Sequence, residues 1–254
     1  DWISLLSSDD VALPCFVEKL LDTAGKYPDA ILLRGPFEVI DGQGTVIDHG
    51  GLWSLAKVTR PPQTLFEQLL SPKVSFAAFA VRRTAFNMVG GFPELKFTAD
   101  WGLWLRLSAL GSFVKAPGPI SQYRRDYRPE LSRQRMLDAI DDEAIVTSTI
   151  IPAVSERLGV ADASCIQKSD RLRAIRILSD NSRIFRSPDD AALRKSICDE
   201  LAARLSRKDF ALIRAVHAGK EIGYETSMQR FRRRIRSVIG RLCLANWLRL
   251  VGNA

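Results

Sequence analysis

The sequence has few of the residues that mark a zinc centre or a disulfide scaffold. Its 254 residues include four cysteines, which form no CxxC pair, and two histidines, His49 and His217, which share no ligand spacing. Isolated thiols at this density are typical of a reduced cytosolic protein. No apolar run reaches the roughly 18 residues of a membrane-spanning helix, and no fixed-period repeat is present. These residues therefore form neither a disulfide scaffold nor a membrane span.

Acidic residues are absent from the last part of the sequence. Residues 226–254 hold seven arginines and no acid, whereas residues 1–225 carry 30 basic and 29 acidic groups. The net charge of +8 therefore belongs almost entirely to the tail. A basic appendage on a neutral body differs from the globally basic surface of a typical nucleic-acid-binding protein. We therefore expect no nucleic-acid partner.

Strand and helix patterns alternate through residues 1–128. A short apolar run at Trp2 is followed by apolar residues at helical spacing from Phe16, and then by a β-like run. The turn sequence DGQG at 41–44 predicts a hairpin. This order predicts an α/β fold. From about residue 129 the glycine content falls and helical spacing takes over, which predicts a helical subdomain at 129–225.

Two adjacent carboxylates, Asp9 and Asp10, end the first apolar run. One interpretation is that they begin the next helix, where carboxylates accept free amide protons and suit the helix dipole. The other is that they hold a hard cation, Mg²⁺ or Mn²⁺, at the carboxyl edge of a sheet. Asp100 has the same ambiguity, because it lies in the first turn of a predicted helix.

The order of the motifs resembles the family 2 glycosyltransferases of GT-A fold. SSDD with a following proline and helix, a strand ending in RR, the turn GGFPE, the helix ADWGLWLRLSALG and the strand ISQYRRD occur in that order within residues 1–128. The resemblance implies that residues 1–128 are the catalytic and acceptor half of a GT-A domain, with a partial mixed sheet and packed helices. An all-α region would follow.

The resemblance also implies roles for individual residues. Asp100 would be the catalytic base. Asp9 and Asp10 would bind the divalent cation and the diphosphate of a nucleotide-diphospho-sugar donor. The remaining implied contacts are to the donor (Arg82 and Arg83), to the acceptor (Gly90, Gly91, Phe92 and Trp101) and to the metal (Asp126).

The activity implied is inverting transfer of a sugar to an acceptor hydroxyl, in the synthesis of a cell-surface polysaccharide or glycolipid. The acceptor would be a saccharide or a lipid-linked saccharide, and the enzyme would be cytoplasmic or peripheral on the inner face of the plasma membrane. Ser7, Ala99 and Asp126 depart from the family pattern. They leave open an alternative, a catalytically silent relative that binds a glycan or a partner. Because the family's first strands precede SSDD, we expect an N-terminally truncated chain that is inactive alone.

Residues 226–254 have the pattern of a basic amphipathic helix. Phe231, Ile235, Val238 and Leu242 lie on one helical stripe, and arginines surround it. Such a helix either docks its apolar stripe on the body or lies on an anionic membrane surface. In the second case each nearby arginine contributes about 1 kcal/mol.

We predict that the full-length protein floats with liposomes that contain anionic lipid and that a variant ending at residue 225 does so less. Neutral liposomes are the control, since they remove the electrostatic attraction. Equal flotation of the two proteins with anionic vesicles would contradict a membrane role for the tail.

Overall fold

A computed structural model describes residues 1–50, 57–69, 72–125, 138–139, 141–161 and 166. Residues 1–161 form one compact unit, which extends past the predicted boundary at 128. Asp126, most of the predicted helical subdomain and the predicted basic helix at 226–254 lie outside the described residues. No described helix is long and apolar enough to cross a bilayer.

Nine strands and five α-helices have defined bounds, and residues 138–139 and 141–145 are also helical. The strands are β1 (Trp2–Ile3), β2 (Val11–Ala12), β3 (Ala30–Arg34), β4 (Phe37–Ile40), β5 (Val46–Gly50), β6 (Val58–Thr59), β7 (Phe79–Arg82), β8 (Ser112–Lys115) and β9 (Ser121–Arg124). The helices are α1 (Phe16–Lys26), α2 (Gln63–Gln68), α3 (Arg83–Met88), α4 (Ala99–Leu107) and α5 (Ile151–Arg157), and a π-helical segment, Val146–Ile150, directly precedes α5. The predicted α/β class is confirmed.

The larger sheet has five strands in the order β1-β7-β3-β8-β6. β3 and β8 are parallel, β7 is antiparallel to both β1 and β3, and β6 is antiparallel to β8. β1, β3 and β8 therefore point the same way and end at one edge, which we call the carboxyl edge. Ligands of open α/β sheets bind at such an edge.

The smaller sheet has four strands in the order β2-β9-β4-β5. β4 and β5 are joined by the predicted DGQG turn, in which Gly44 has a φ of 88° and the Asp41 carboxylate accepts hydrogen bonds from the amides of Gln43 and Thr45. β4 and β9 are parallel, and β2 pairs with β9. β2 was not expected, because two strand residues between turns carry no periodic signal.

The core has two layers, one on each face of the larger sheet. Successive residues of a strand point to opposite faces, and β3 shows this directly. Leu33 packs with Phe16 and Leu20 of α1, whereas Leu32 packs with Leu103 and Trp104 of α4. Two helices therefore cover the two faces of the sheet.

Gly102 allows the chain after residue 141 to pack closely on α4. A Cβ atom added there would lie 2.6 Å from Cγ of Pro93, 3.0 Å from Cδ1 of Leu95 and 3.2 Å from Cδ1 of Ile150. The proline ring cannot rotate away from this position. Glycine is therefore required by close packing rather than by its backbone angle.

We predict that Gly102→Ala lowers the free energy of unfolding by about 1–2 kcal/mol, because overpacking outweighs the better helix propensity of alanine. The matched control is Gly25→Ala in α1, where an added Cβ would meet nothing within 4 Å. That change should stabilise the protein by about 0.5–1 kcal/mol. Urea unfolding measures both, and a Gly102→Ala protein as stable as Gly25→Ala would contradict the packing described.

Candidate functional site at the carboxyl edge

Asp100 lies in the first turn of α4, with its side chain half-buried. Its Oδ1 accepts a hydrogen bond of 2.7 Å from the Trp101 amide. Burial raises the pKa of Asp100 to about 6, although hydrogen bonds from the amides of Trp101 and of Asp100 itself lower it. A carboxylate with a pKa near neutral is suited to accept a proton at physiological pH. A helix-terminal acid that only satisfies the backbone does not need this burial.

The chain connections place Asp100 toward the carboxyl edge. Four residues separate the end of α4 from the start of β8, so the first turn of α4 lies toward the edge where β8 ends. The Trp101 indole donates a 2.7 Å hydrogen bond to the Gln68 carbonyl. The preceding residue, Glu67, forms a 3.0 Å ion pair with Arg34 at the end of β3. This series of contacts joins the start of α4 to the end of a central strand.

Trp101, predicted to contact the acceptor, is packed in the core. Its side chain is buried, with 3% of its surface exposed, and its only polar atom is bonded to Gln68. An indole held in this way has no free face for a sugar ring. This burial favours a role for Trp101 in positioning α4, and the acceptor contact stays a prediction.

Asp142 holds the chain just before Asp100, and the sequence did not suggest it. Its carboxylate is buried and accepts hydrogen bonds of 2.9 Å, 2.7 Å and 2.7 Å from the amides of Lys96, Phe97 and Thr98. It also accepts a 3.1 Å bond from the Thr98 hydroxyl. Lys96 pairs with the neighbouring Asp141 at 2.9 Å. No sequence signal indicates a pairing across more than 40 residues.

The hydrogen bonds to Asp142 favour its charged form. Burial alone would raise the pKa of Asp142, but the amides of Thr98, Phe97 and Lys96 and the Thr98 hydroxyl together lower it below its usual value. The charged carboxylate therefore stabilises the loop at 96–98. This loop sets where α4 begins and so where Asp100 is presented.

Asp10 connects the segment after β1 to the smaller sheet. It is 9% exposed, and its Oδ1 accepts a 2.9 Å hydrogen bond from the Arg124 amide of β9. The Arg124 guanidinium donates to the carbonyls of Asp9 at 2.9 Å, Asp41 at 2.7 Å and Gly42 at 3.2 Å. We call these contacts the Arg124 network. It holds the side chain of Asp10 and the backbone of Asp9.

The two carboxylates differ in their surroundings. Burial raises the pKa of Asp10, the Arg124 amide lowers it, the charge of Asp9 raises it and the charge of Arg124 lowers it, with a net upward shift. The side chain of Asp9 is exposed. Asp9 is thus open to a ligand from solvent, whereas Asp10 has one oxygen committed to the fold.

Neither carboxylate begins a helix, so that interpretation is wrong. α1 starts at Phe16, after β2, and its N-cap residue, Cys15, makes no side-chain capping bond. The proline at position 14 lies before this start. The adjacent acids instead lie in the segment that connects β1 of the larger sheet to β2 of the smaller sheet.

The structure brings the predicted catalytic and metal residues to one edge only in part. The segment with Asp9 and Asp10 leaves β1 at the carboxyl edge, and α4 presents Asp100 toward that edge. Within the described ranges no hydrogen bond joins Asp9 or Asp10 to Asp100, and no group of three metal-ligating side chains occurs. That these carboxylates share one cleft stays a prediction.

Arg82 and Arg83 lie at the other edge of the larger sheet, because β7 runs opposite to β3. The Arg82 guanidinium donates to the carbonyls of Ala30, at 3.0 Å, and Pro28, at 2.5 Å, and lies 4.7 Å from the centre of the Trp2 ring. The Arg83 amide donates to the carbonyl of Asp1. This placement favours a structural role over contact with a donor.

The GGF turn follows α3 with two glycines at positive φ, 76° for Gly90 and 73° for Gly91. Phe92 is half-buried and packs edge-on against Phe86 with ring centres 5.6 Å apart. It also lies 6.0 Å from the ring of Phe76, which precedes β7 at the carboxyl edge. The turn thus leads the chain toward the edge where α4 begins.

The sequence matches no protein-family profile, and no curated protein shows significant similarity to it.

We predict that Asp142→Asn lowers the free energy of unfolding by about 1.5–3 kcal/mol near neutral pH, since hydrogen bonds to a charged acceptor become bonds to a neutral one. The pKa of Asp142 is lowered in the folded state. Its contribution is therefore complete above the unfolded-state pKa of about 3.9 and is lost as the pH falls through the folded-state pKa. Urea unfolding gives the free energy of unfolding of both proteins at several acid pH values. The difference between the two should disappear as the pH falls.

Asp141→Asn is the matched control for that variant, because it removes the adjacent but exposed carboxylate. An exposed ion pair contributes about 0–1 kcal/mol. If Asp142→Asn is no less stable than Asp141→Asn near neutral pH, then Asp142 does not support the start of α4.

Proposed function

We propose that this chain carries the catalytic and acceptor half of an inverting glycosyltransferase of GT-A fold, which moves a sugar from a nucleotide-diphospho-sugar to an acceptor hydroxyl. The observation that carries the proposal is Asp100, a half-buried carboxylate with a pKa of about 6 at the carboxyl edge of a mixed sheet. The resemblance of the ordered motifs to family 2 supports it. The acceptor proposed is a saccharide or lipid-linked saccharide.

In this reaction Asp100 accepts the proton of the acceptor hydroxyl. The hydroxyl oxygen forms a bond to the anomeric carbon as the bond from that carbon to the diphosphate oxygen breaks, and the nucleoside diphosphate leaves with the electron pair. Attack from the face opposite the leaving group inverts the configuration. General-base assistance of this kind contributes about 10²- to 10⁴-fold to the rate.

The donor set near β1 fits a hard divalent cation. Asp9 offers an exposed carboxylate, and Asp10 has a second oxygen beside the one bonded to Arg124. Mg²⁺ is commonly held by one or two carboxylates together with substrate phosphates and water. A bound Mg²⁺ or Mn²⁺ would supply positive charge to offset that of the departing diphosphate.

The remaining residues have supporting roles in this proposal. Phe92 and the glycines before it border the acceptor side of the site, because they lead into α4 at the carboxyl edge. Asp142 is a positioning residue, since its hydrogen bonds hold the loop that precedes Asp100. Arg82 and Arg83 contact main-chain groups at the other edge and are given no role in donor binding.

We predict that Asp100→Asn in the full-length protein lowers the rate of sugar transfer by about 10²- to 10⁴-fold and leaves donor affinity almost unchanged. In the wild type, transfer should rise with pH through about 6 as the base loses its proton. The assay measures nucleoside diphosphate release with a panel of nucleotide sugars. Asp22→Asn, an exposed change on α1, is the matched control.

The free energy of unfolding of Asp100→Asn shows whether the variant loses activity because the base is gone or because the protein is unfolded. Since the pKa of Asp100 is raised in the folded state, ionisation costs stability as the pH rises from the unfolded value through about 6. Asparagine does not ionise, so Asp100→Asn should be more stable than wild type by about 1–2 kcal/mol above that pH, and not at lower pH. Equal transfer by Asp100→Asn and Asp22→Asn would contradict the proposal, and binding of sugars without transfer would favour a catalytically silent relative.

A further inference from the structure

A pocket of about 530 Å³ opens beside the strands at the far side of the larger sheet from β1. It is lined by the last residue of β8, by the residue before β6, by the β3–β4 connection and by the end of β5. None of Asp9, Asp10 and Asp100 lines it. It is therefore distinct from the carboxylates assigned to sugar transfer.

Two lysines with like charges lie opposite each other at this pocket. β6 and β8 are antiparallel with Val58 opposite Val114, so Lys57 stands opposite Lys115. The Lys115 amide donates a 2.8 Å hydrogen bond to the Lys57 carbonyl, which confirms the pairing. Like charges on directly opposed residues of an antiparallel pair destabilise a sheet. A bound anion would remove this repulsion.

The groups around the lysines leave this positive charge uncompensated. Among the residues that the structure describes, the lining includes His49 but no aspartate or glutamate. The Lys57 ammonium lies over the Tyr27 ring, 5.5 Å from its centre. An aromatic face attracts a cation without neutralising it. The pocket therefore presents positive charge from two opposed side chains and favours an anionic ligand.

Much of the remaining lining consists of apolar side chains that contain a ring. Pro36, Phe37, Pro117 and Pro119 contribute flat hydrocarbon surfaces. Pockets of roughly 300–1,000 Å³ with apolar walls and a few polar groups are typical of small-ligand sites. Flat walls accommodate a ring, and the lysines accommodate its charged substituent.

We propose that this pocket binds a small molecule in which a phosphate or carboxylate is attached to a ring. The ring packs against the proline and phenylalanine surfaces, and the anion lies between the ammonium groups of Lys57 and Lys115. Binding needs no divalent cation and none of the carboxylates assigned above. The proposal is independent of glycosyl transfer, so either can fail without the other.

The experiment is calorimetric titration of the full-length protein, at low ionic strength and without divalent metal. Phenyl phosphate and benzoate are the ring-bearing anions, inorganic phosphate is the anion alone and benzyl alcohol is the neutral ring. We expect one or both ring-bearing anions to bind more tightly than phosphate or benzyl alcohol. Lys57→Gln and Lys115→Gln should each weaken that binding at least tenfold, and added salt should weaken it in the wild type.

Arg83→Gln is the matched control, because it removes one exposed positive charge at the opposite edge of the sheet. The double lysine variant should be at least as stable as wild type in low salt, since it removes the like-charge pair. In thermal unfolding, phenyl phosphate should raise the midpoint of the wild type and not that of the double variant.

Four results would overturn the proposal. They are no binding of either ring-bearing anion at millimolar concentration, unchanged affinity in both lysine variants, an equal loss in Arg83→Gln, and binding of benzyl alcohol as tight as that of the anions. Tighter binding of phenyl phosphate than of benzoate identifies phosphate as the preferred charged group, and the reverse identifies carboxylate.

Discussion

The burial of β3 on both faces is the constraint on which the rest of this structure depends. Four of its five residues are at most 3% exposed, because α1 covers one face and α4 the other. Polar groups on such a strand have no access to water except where the strand ends. Arg34, at the last position of β3, is itself buried, and its charge is paired with Glu67. The two faces of β3 are thereby closed to any ligand.

Two buried carboxylates each fix a segment that is distant from them in the sequence. Asp10 and Asp142 each accept main-chain amide hydrogen bonds from a segment that is distant in sequence, and neither is paired mainly with a cationic side chain. An amide–carboxylate bond is directional and needs little space, so it fixes a loop without filling it. The loops beside Asp9 and Asp100 are both fixed in this way. Main-chain hydrogen bonds thus hold both segments in place, and the Asp9 side chain stays exposed.

The sequence predicted local elements well and long-range contacts poorly. The DGQG hairpin, α1, the short helices and the helix of Asp100 follow from periodicity and turn chemistry, which act over a few residues. The burial of Trp101 and the role of Asp142 depend on Gln68 and on the loop at 96–98, which only the folded chain brings near. Asp9 and Asp10 were predicted as a pair, yet the fold gives them separate tasks, because Arg124 reaches one side chain and the backbone of the other.

The Arg124 network has a consequence for how this protein can be modified. An exposed hairpin turn is ordinarily among the safest places for a peptide tag or a fused domain. Here the carbonyls of Asp41 and Gly42 in that turn hold the same guanidinium that holds the backbone of Asp9. An insertion between β4 and β5 would remove two acceptors from Arg124 and loosen a carboxylate on a different part of the chain. The turn is remote from Asp9 in sequence, but both are bonded to the same Arg124 guanidinium.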